Sequence, residues 1–138
     1  MKRFLLILLS FWISLSSLHA QNPGDLDLSF NADEVGNIFG ANGRVEQLIV
    51  QDDGKIIVGG FFSEINGVLR NRIARLNEDG SLDDSFNPGV GVGGTLYSMA
   101  IQPDGKILIG GIFGSYGGVS INNFARINPD GTLDGIVH

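Results

Sequence analysis

The sequence predicts an all-β repeat fold, and three observations carry that prediction. Gln51-Asp52-Asp53-Gly54-Lys55-Ile56-Ile57-Val58-Gly59-Gly60 returns as Gln102-Pro103-Asp104-Gly105-Lys106-Ile107-Leu108-Ile109-Gly110-Gly111, 51 residues further on. Ala74-Arg75-Leu76-Asn77-Glu78-Asp79-Gly80 returns at the same interval as Ala125-Arg126-Ile127-Asn128-Pro129-Asp130-Gly131. Between these blocks lie short apolar runs punctuated by turn sequences, with no sustained helical period. A constant interval of this size marks units that cannot bury their apolar faces alone and must stack on neighbours.

The N-terminus comes first. Lys2 and Arg3 precede an apolar run from Phe4 to Leu15, interrupted by Ser10 and Ser14, and then Leu18-His19-Ala20. Basic, apolar and small-residue regions in that order predict a secretory signal peptide over residues 1–20, cut after Ala20. A spanning helix needs about 20 apolar residues, more than this run supplies. Cleavage would leave residues 21–138 as the repeat domain, with units at about 26–81 and 82–138. Loss of Lys2 and Arg3 takes the basic residues from 9 to 7 against 15 acidic ones, a formal charge of −8. Such a chain is repelled by nucleic acid and by anionic membranes, so neither is expected as a partner, and no membrane insertion is expected after cleavage. Cysteine is absent, so stability must come from packing rather than disulfides.

Within each unit the turns define the strands. Gln102-Pro103-Asp104-Gly105 and Asn128-Pro129-Asp130-Gly131 place Pro where φ is near −65° and Gly where φ is positive. That is the chemistry of a type I turn closed by a left-handed glycine. Asp52 and Glu78 replace the prolines in the earlier unit, which a type I turn accepts. Strands are expected over 44–51, 55–62 and 71–77, and again over 95–102, 106–113 and 122–128. A short fourth strand is expected over 82–87, with an early counterpart over 26–31. Four antiparallel strands at this interval suggest the blade of a β-propeller.

The middle strand supports this independently. Ile56, Val58, Gly60 and Phe62 share one face and Ile57, Gly59 and Phe61 the other, so both faces are apolar or small. A strand of this kind is covered on both sides, as neighbouring blades would cover it. Gly59-Gly60 and Gly110-Gly111 would ordinarily weaken a strand, and are expected to mark a bulge or a close approach of backbones.

The Gln-x-Asp-Gly-Lys-Ile-x-x-Gly-Gly-x-Phe, Ala-Arg-x-Asn-x-Asp-Gly-x-Leu-Asp and Leu-Asp-x-Ser-Phe-Asn motifs resemble the delta-60 repeat family of bacterial exported proteins. The resemblance runs from Leu26 to about Asp134 and implies β-propeller architecture, usually with more repeats than here. It brings no catalytic residues with it. The leader, with Ala20 followed by Gln21 and Asn22, is similar to those of Bacteroidetes-type secreted proteins. Two features depart from the repeat. About five extra residues lie around Asp33 to Asn42, and Gly135-Ile136-Val137-His138 replaces the expected Ser-Phe-Asn. Two units fall short of the roughly four blades of a closed ring, so the propeller is expected to be incomplete, or closed by copies of itself or by further repeats downstream.

Candidate sites are few. An EF-hand reading of the turn before Gly80 would put Arg75, Asn77 and Asp79 at the first three ligand positions, and the cation at the first spoils the set. Turn geometry accounts for Asn77, Asp79, Asn128 and Asp130 without a metal. Arg75 and Arg126 recur inside apolar strands, with Asp83 and Asp134 eight residues later, and are read as structural pairs across a hairpin rather than as an anion-binding ring. After cleavage only His138 remains of the histidines, so Ser–His and Cys–His catalysis has no base. Asp83 and Asp84 are neighbours in a strand and would point to opposite faces. No catalytic, cofactor-binding or metal residues are assigned, and the protein is expected not to be an enzyme. The expected role is an interaction or structural module at the cell envelope or outside the cell, with an unknown protein or a glycan as partner. A lectin-like homo-oligomer is the alternative, with Tyr97, Tyr116 and Phe39 as sugar platforms; a fragment of a larger secreted hydrolase is a further one.

Overall fold

The structure is a computed structural model that describes residues 40–135. The leader and its cleavage point, the strand expected over 26–31, Phe39 and His138 lie outside the described residues. The first unit comprises β1 (Arg44–Val50), β2 (Ile56–Phe61), β3 (Glu64–Ile65), β4 (Val68–Leu69) and β5 (Ile73–Leu76). The second comprises β6 (Val92–Ile101), β7 (Ile107–Tyr116), β8 (Val119–Ser120) and β9 (Phe124–Ile127). All pairing is antiparallel: β1-β2-β5 form one sheet, β6-β7-β9 the equivalent sheet of the second unit, and β3-β4 and β7-β8 close small hairpins.

The predicted turns form at all four positions. In each, the glycine amide donates to the carbonyl three residues back, at 2.9 to 3.0 Å, from Gly54 to Gln51, Gly80 to Asn77, Gly105 to Gln102 and Gly131 to Asn128. Their φ angles are 80°, 85°, 81° and 87°, the left-handed region that glycine enters without a Cβ clash. Aspartate completes the loop: Asp53 and Asp104 accept from the amides of Lys55 and Lys106.

Two features differ from the sequence reading. The hairpins β3-β4 and β7-β8 are additional, turning at Asn66-Gly67 and Gly117-Gly118, whose φ angles are all positive. Positive φ at both central residues defines the tight turn that matches strand twist, and Asn-Gly is its strongest sequence signal. The fourth strand, by contrast, contracts to a single bridge, Leu82 to Leu76, repeated as Leu133 to Ile127. Its extension is interrupted because Asp83 turns inward, and its carboxylate accepts from the Ser85 amide and hydroxyl, which curls the chain.

The paired glycines do both things expected of them. Register shifts between Val45 and Gln47 and between Leu96 and Ser98 leave Glu46 and Tyr97 as bulge residues, opposite Gly59-Gly60 and Gly110-Gly111. A Cβ on Gly60 would run into the Arg44 carbonyl, and one on Gly111 into that of Thr95.

The core lies on both sides of β2. Val58, Phe62, Ile65, Ala74 and Leu76 pack on one face. On the other, Ile57 and Ile73 join Leu96, Met99, Ile107 and Ile109 in a cluster that crosses from one unit to the next. Full burial of each such side chain contributes about 1.5–3 kcal/mol, and β6 lies across β1 and β2 to make it. The two units are thus stacked face to face, in the manner of adjacent blades; the described residues do not close a ring.

Candidate functional site

Most of the distinctive polar chemistry lies at the edges of the blades and at the joint between them. Asp83 is buried, and its Oδ2 accepts from Arg75 Nε and from Lys55 Nζ, each at 2.7 Å. Ser85 Oγ donates to Oδ1 at 2.6 Å. Burial alone would raise the Asp83 carboxyl, but the hydrogen bonds from Lys55, Ser85 and Arg75 outweigh it and hold it well below the usual carboxylate range. The second unit builds the same device with less cover: Arg126 Nε and Lys106 Nζ both donate to Asp134 Oδ2. The bonds from Lys106 and Arg126 lower the Asp134 carboxyl. The paired Arg and Asp read from the sequence are therefore brought together in both units, and the lysine of the Asp-Gly-Lys turn is a third member that sequence reasoning missed. Its signal was present, since Lys55 and Lys106 share the 51-residue repeat.

Arg75 also reaches across the joint. Its Nη1 donates to the Pro129 carbonyl at 2.6 Å, and its guanidinium carbon lies 5.1 Å from the centre of the Phe86 ring. Phe86 is fully buried against Gly131, and the Asn87 amide donates to the Asp130 carbonyl at 2.6 Å. The segment after Leu82 therefore leaves the first sheet and fastens to the second unit's turn. Tyr116 secures that turn from below by donating its hydroxyl to the Gly131 carbonyl at 2.6 Å. Desolvation, with a contribution from Asp130, pushes the Tyr116 phenol far above its ordinary value. At the other end of the joint the Gln47 side-chain amide grips the main chain of Met99, donating to its carbonyl at 2.8 Å and accepting from its N–H.

Among the described residues, each unit also leaves one face uncovered. On the second, Leu108, Ile121, Phe124, Ala125, Arg126 and Leu133 line an apolar groove of about 440 Å³. On the first, Val45 and Leu48 are 40% and 60% exposed. A separate groove of about 440 Å³, with a mixed polar and apolar lining, lies between the turns at Val50 to Asp53 and Ile101 to Gly105.

The remaining sequence candidates resolve individually. Asp79 and Asp130 accept from the amide and hydroxyl of Ser81 and Thr132, and these bonds lower both carboxyls. Asn77 and Asn128 donate to the same two hydroxyls. Among the described residues no three His, Cys, Asp or Glu side chains gather as metal ligands. Asp83 is buried whereas the Asp84 side chain is 87% exposed, so the two do not act on a common point. Tyr116 is completely buried and offers no ring to a sugar, a correction to its reading as a platform; Tyr97, on its bulge, is half exposed.

Antiparallel repeat units stacked through a shared apolar cluster and pinned by an edge Arg–Asp–Lys triad define a β-propeller-type repeat protein. Residues 51–86 and 102–135 match the family described as a domain of unknown function (DUF5122) beta-propeller, and together they make up just over half of the chain. The chain belongs to that family, which is the delta-60 repeat type. Comparison with curated proteins and with solved structures finds no match in either.

Proposed function

We propose that this chain is an exported, non-enzymatic interaction or structural module that works at the cell envelope or outside the cell. The observation that carries the reading is how the repeated charges are used. Arg75, Asp83 and Lys55, with Arg126, Asp134 and Lys106, are engaged in holding blade edges, while among the described residues the open groove of the second unit is mainly apolar. Apolar faces of this kind favour contact with another macromolecule over turnover of a small substrate. The basic, apolar and small-residue order from Lys2 to Ala20 supports export. Mass spectrometry of the protein expressed from its full sequence in a Gram-negative host tests this. A mature N-terminus at or within two residues of Gln21, recovered outside the cytoplasm, is expected; an intact Met1 in a cytoplasmic product overturns it.

A lectin-like role is the second reading, and the half-exposed Tyr97 ring favours it. Glycan-array binding that is lost in Tyr97→Ala would support it over the first.

A further inference from the structure

The joint between the two units and the two uncovered faces are made of equivalent positions. Ile57 and Ile73, wholly buried by the second unit, correspond at the 51-residue interval to Leu108 and Phe124, and Phe124 is 58% exposed. In the reverse direction, Leu96 and Met99, which cover the first unit and are 1% and 5% exposed, correspond to the exposed Val45 and Leu48. The described residues thus carry one complete joint and the two halves of a second.

The fit extends to backbone shape and to polar groups. Gly59 admits the Leu96 and Met99 side chains so closely that a Cβ would lie 2.7 to 2.8 Å from them. At Gly110, the equivalent position, a Cβ would meet only Ser98 Oγ at 3.0 Å and the Asn123 carbonyl at 4.0 Å, both from its own unit. The socket is therefore formed, and nothing among the described residues fills it. Arg126 borders this groove with its Nε already oriented by Asp134, as Asp83 orients Arg75. Pro129, whose carbonyl accepts from Arg75, has Glu78 as its counterpart in the exposed turn of the first unit.

We propose that the face formed by Leu108, Phe124 and Arg126 docks the Val45 and Leu48 face of a second copy of this chain, head to tail. Val45 and Leu48 enter the socket at Gly110, and the Arg126 guanidinium donates to the Glu78 carbonyl of the incoming copy. A heterologous contact of this kind leads to a ring when its rotation closes. With two blades per copy, roughly two to four copies would make a propeller of about 4–8 blades. The proposal names the partner of the interaction module above; it rests on the blade reading and is independent of export.

Sedimentation velocity on the full-sequence protein, with Leu48→Glu and Phe124→Glu variants, tests it. Both substitutions lie at exposed positions, and unchanged far-UV circular dichroism checks the fold. The wild type is expected to sediment as an oligomer of discrete size and each variant alone as a monomer. Mixed, the two variants retain one intact face each and are expected to form a 1:1 heterodimer. A wild type that stays monomeric across the accessible concentration range overturns the proposal. So does a mixture that fails to pair, because a face that docks on itself is not repaired by mixing. Either result leaves the N-terminal processing test untouched, so failure here is distinguishable from failure of the export reading.

Discussion

Arg75 donates to the main-chain carbonyl of Pro129, 54 residues away and in the other unit, while its Nε remains on Asp83. One side chain thus fixes the edge of its own blade and the turn of the next. Replacing Arg75 by Met removes the link and leaves the buried Asp83 to Lys55 and Ser85. A loss of about 2–4 kcal/mol is expected, somewhat below the ~3–5 kcal/mol of a buried ion pair left unpartnered, because Lys55 and Ser85 stay on Asp83. Arg126→Met, at the more exposed equivalent, is expected to shift stability much less. Urea unfolding of the two variants checks the contrast.

Asp83 also predicts an acid limb. Its folded pKa lies below that of an unfolded aspartate, so the unfolded state binds the proton more readily. The stabilisation is fully present above about pH 5, begins to fall near pH 4, and is lost progressively as pH drops towards the depressed folded pKa. Asp83→Asn should lower stability at neutral pH and flatten the decline between about pH 5 and 2. Thermal melts across that range provide the measurement.

Tyr116 predicts the opposite limb. Its folded pKa is raised, so above about pH 10 the unfolded phenol loses its proton first and stability falls. Tyr116→Phe should remove most of that alkaline decline. At neutral pH it should cost about 1–2 kcal/mol, because the Gly131 carbonyl loses its donor. Spectrophotometric titration of the phenols, compared between wild type and variant, identifies the group.

Gly105 and Gly131 share a left-handed backbone but not their surroundings. A Cβ on Gly105 would meet only Pro129 Cγ at 3.4 Å, whereas one on Gly131 would lie 3.1 Å from Asn87 main chain and the Phe86 ring. Gly105→Val is expected to cost about 1–3 kcal/mol from backbone strain alone. Gly131→Val should cost more, since it also pushes away the segment that fastens the two units. Equal melting temperatures for the two variants would contradict this account.

Much of the blade was legible because its signals are local. Pro, Asp and Gly at fixed offsets specify the four turns, and an apolar or small residue at every position of β2 specifies a strand covered on both faces. The Asn66-Gly67 turn was equally local, and reading only the repeated Asp-Gly turns passed over it. The fourth strand failed for a different reason. Leu82 to Asn87 has strand-like residues, yet Asp83 gains more from Ser85, Arg75 and Lys55 than from an extended ladder, and the lysine lies 28 residues away. Tyr116 was misread likewise, since its hydroxyl satisfies a carbonyl 15 residues on and its ring can then be wholly buried. The Arg–Asp pairs were visible through their shared interval; the reach of Arg75 into the neighbouring turn was not, because it depends on how the units stack.

Among the described residues, the grip of Gln47 on the Met99 main chain has no twin. Its counterpart in the second unit is Ser98, whose side chain ends two bonds short of an amide. In the proposed head-to-tail assembly, the seam within a chain would therefore be stronger than the seam between chains. On dilution the assembly should come apart between copies first and yield intact two-blade protomers. Such a hierarchy lets each newly made chain finish folding before it recruits a neighbour.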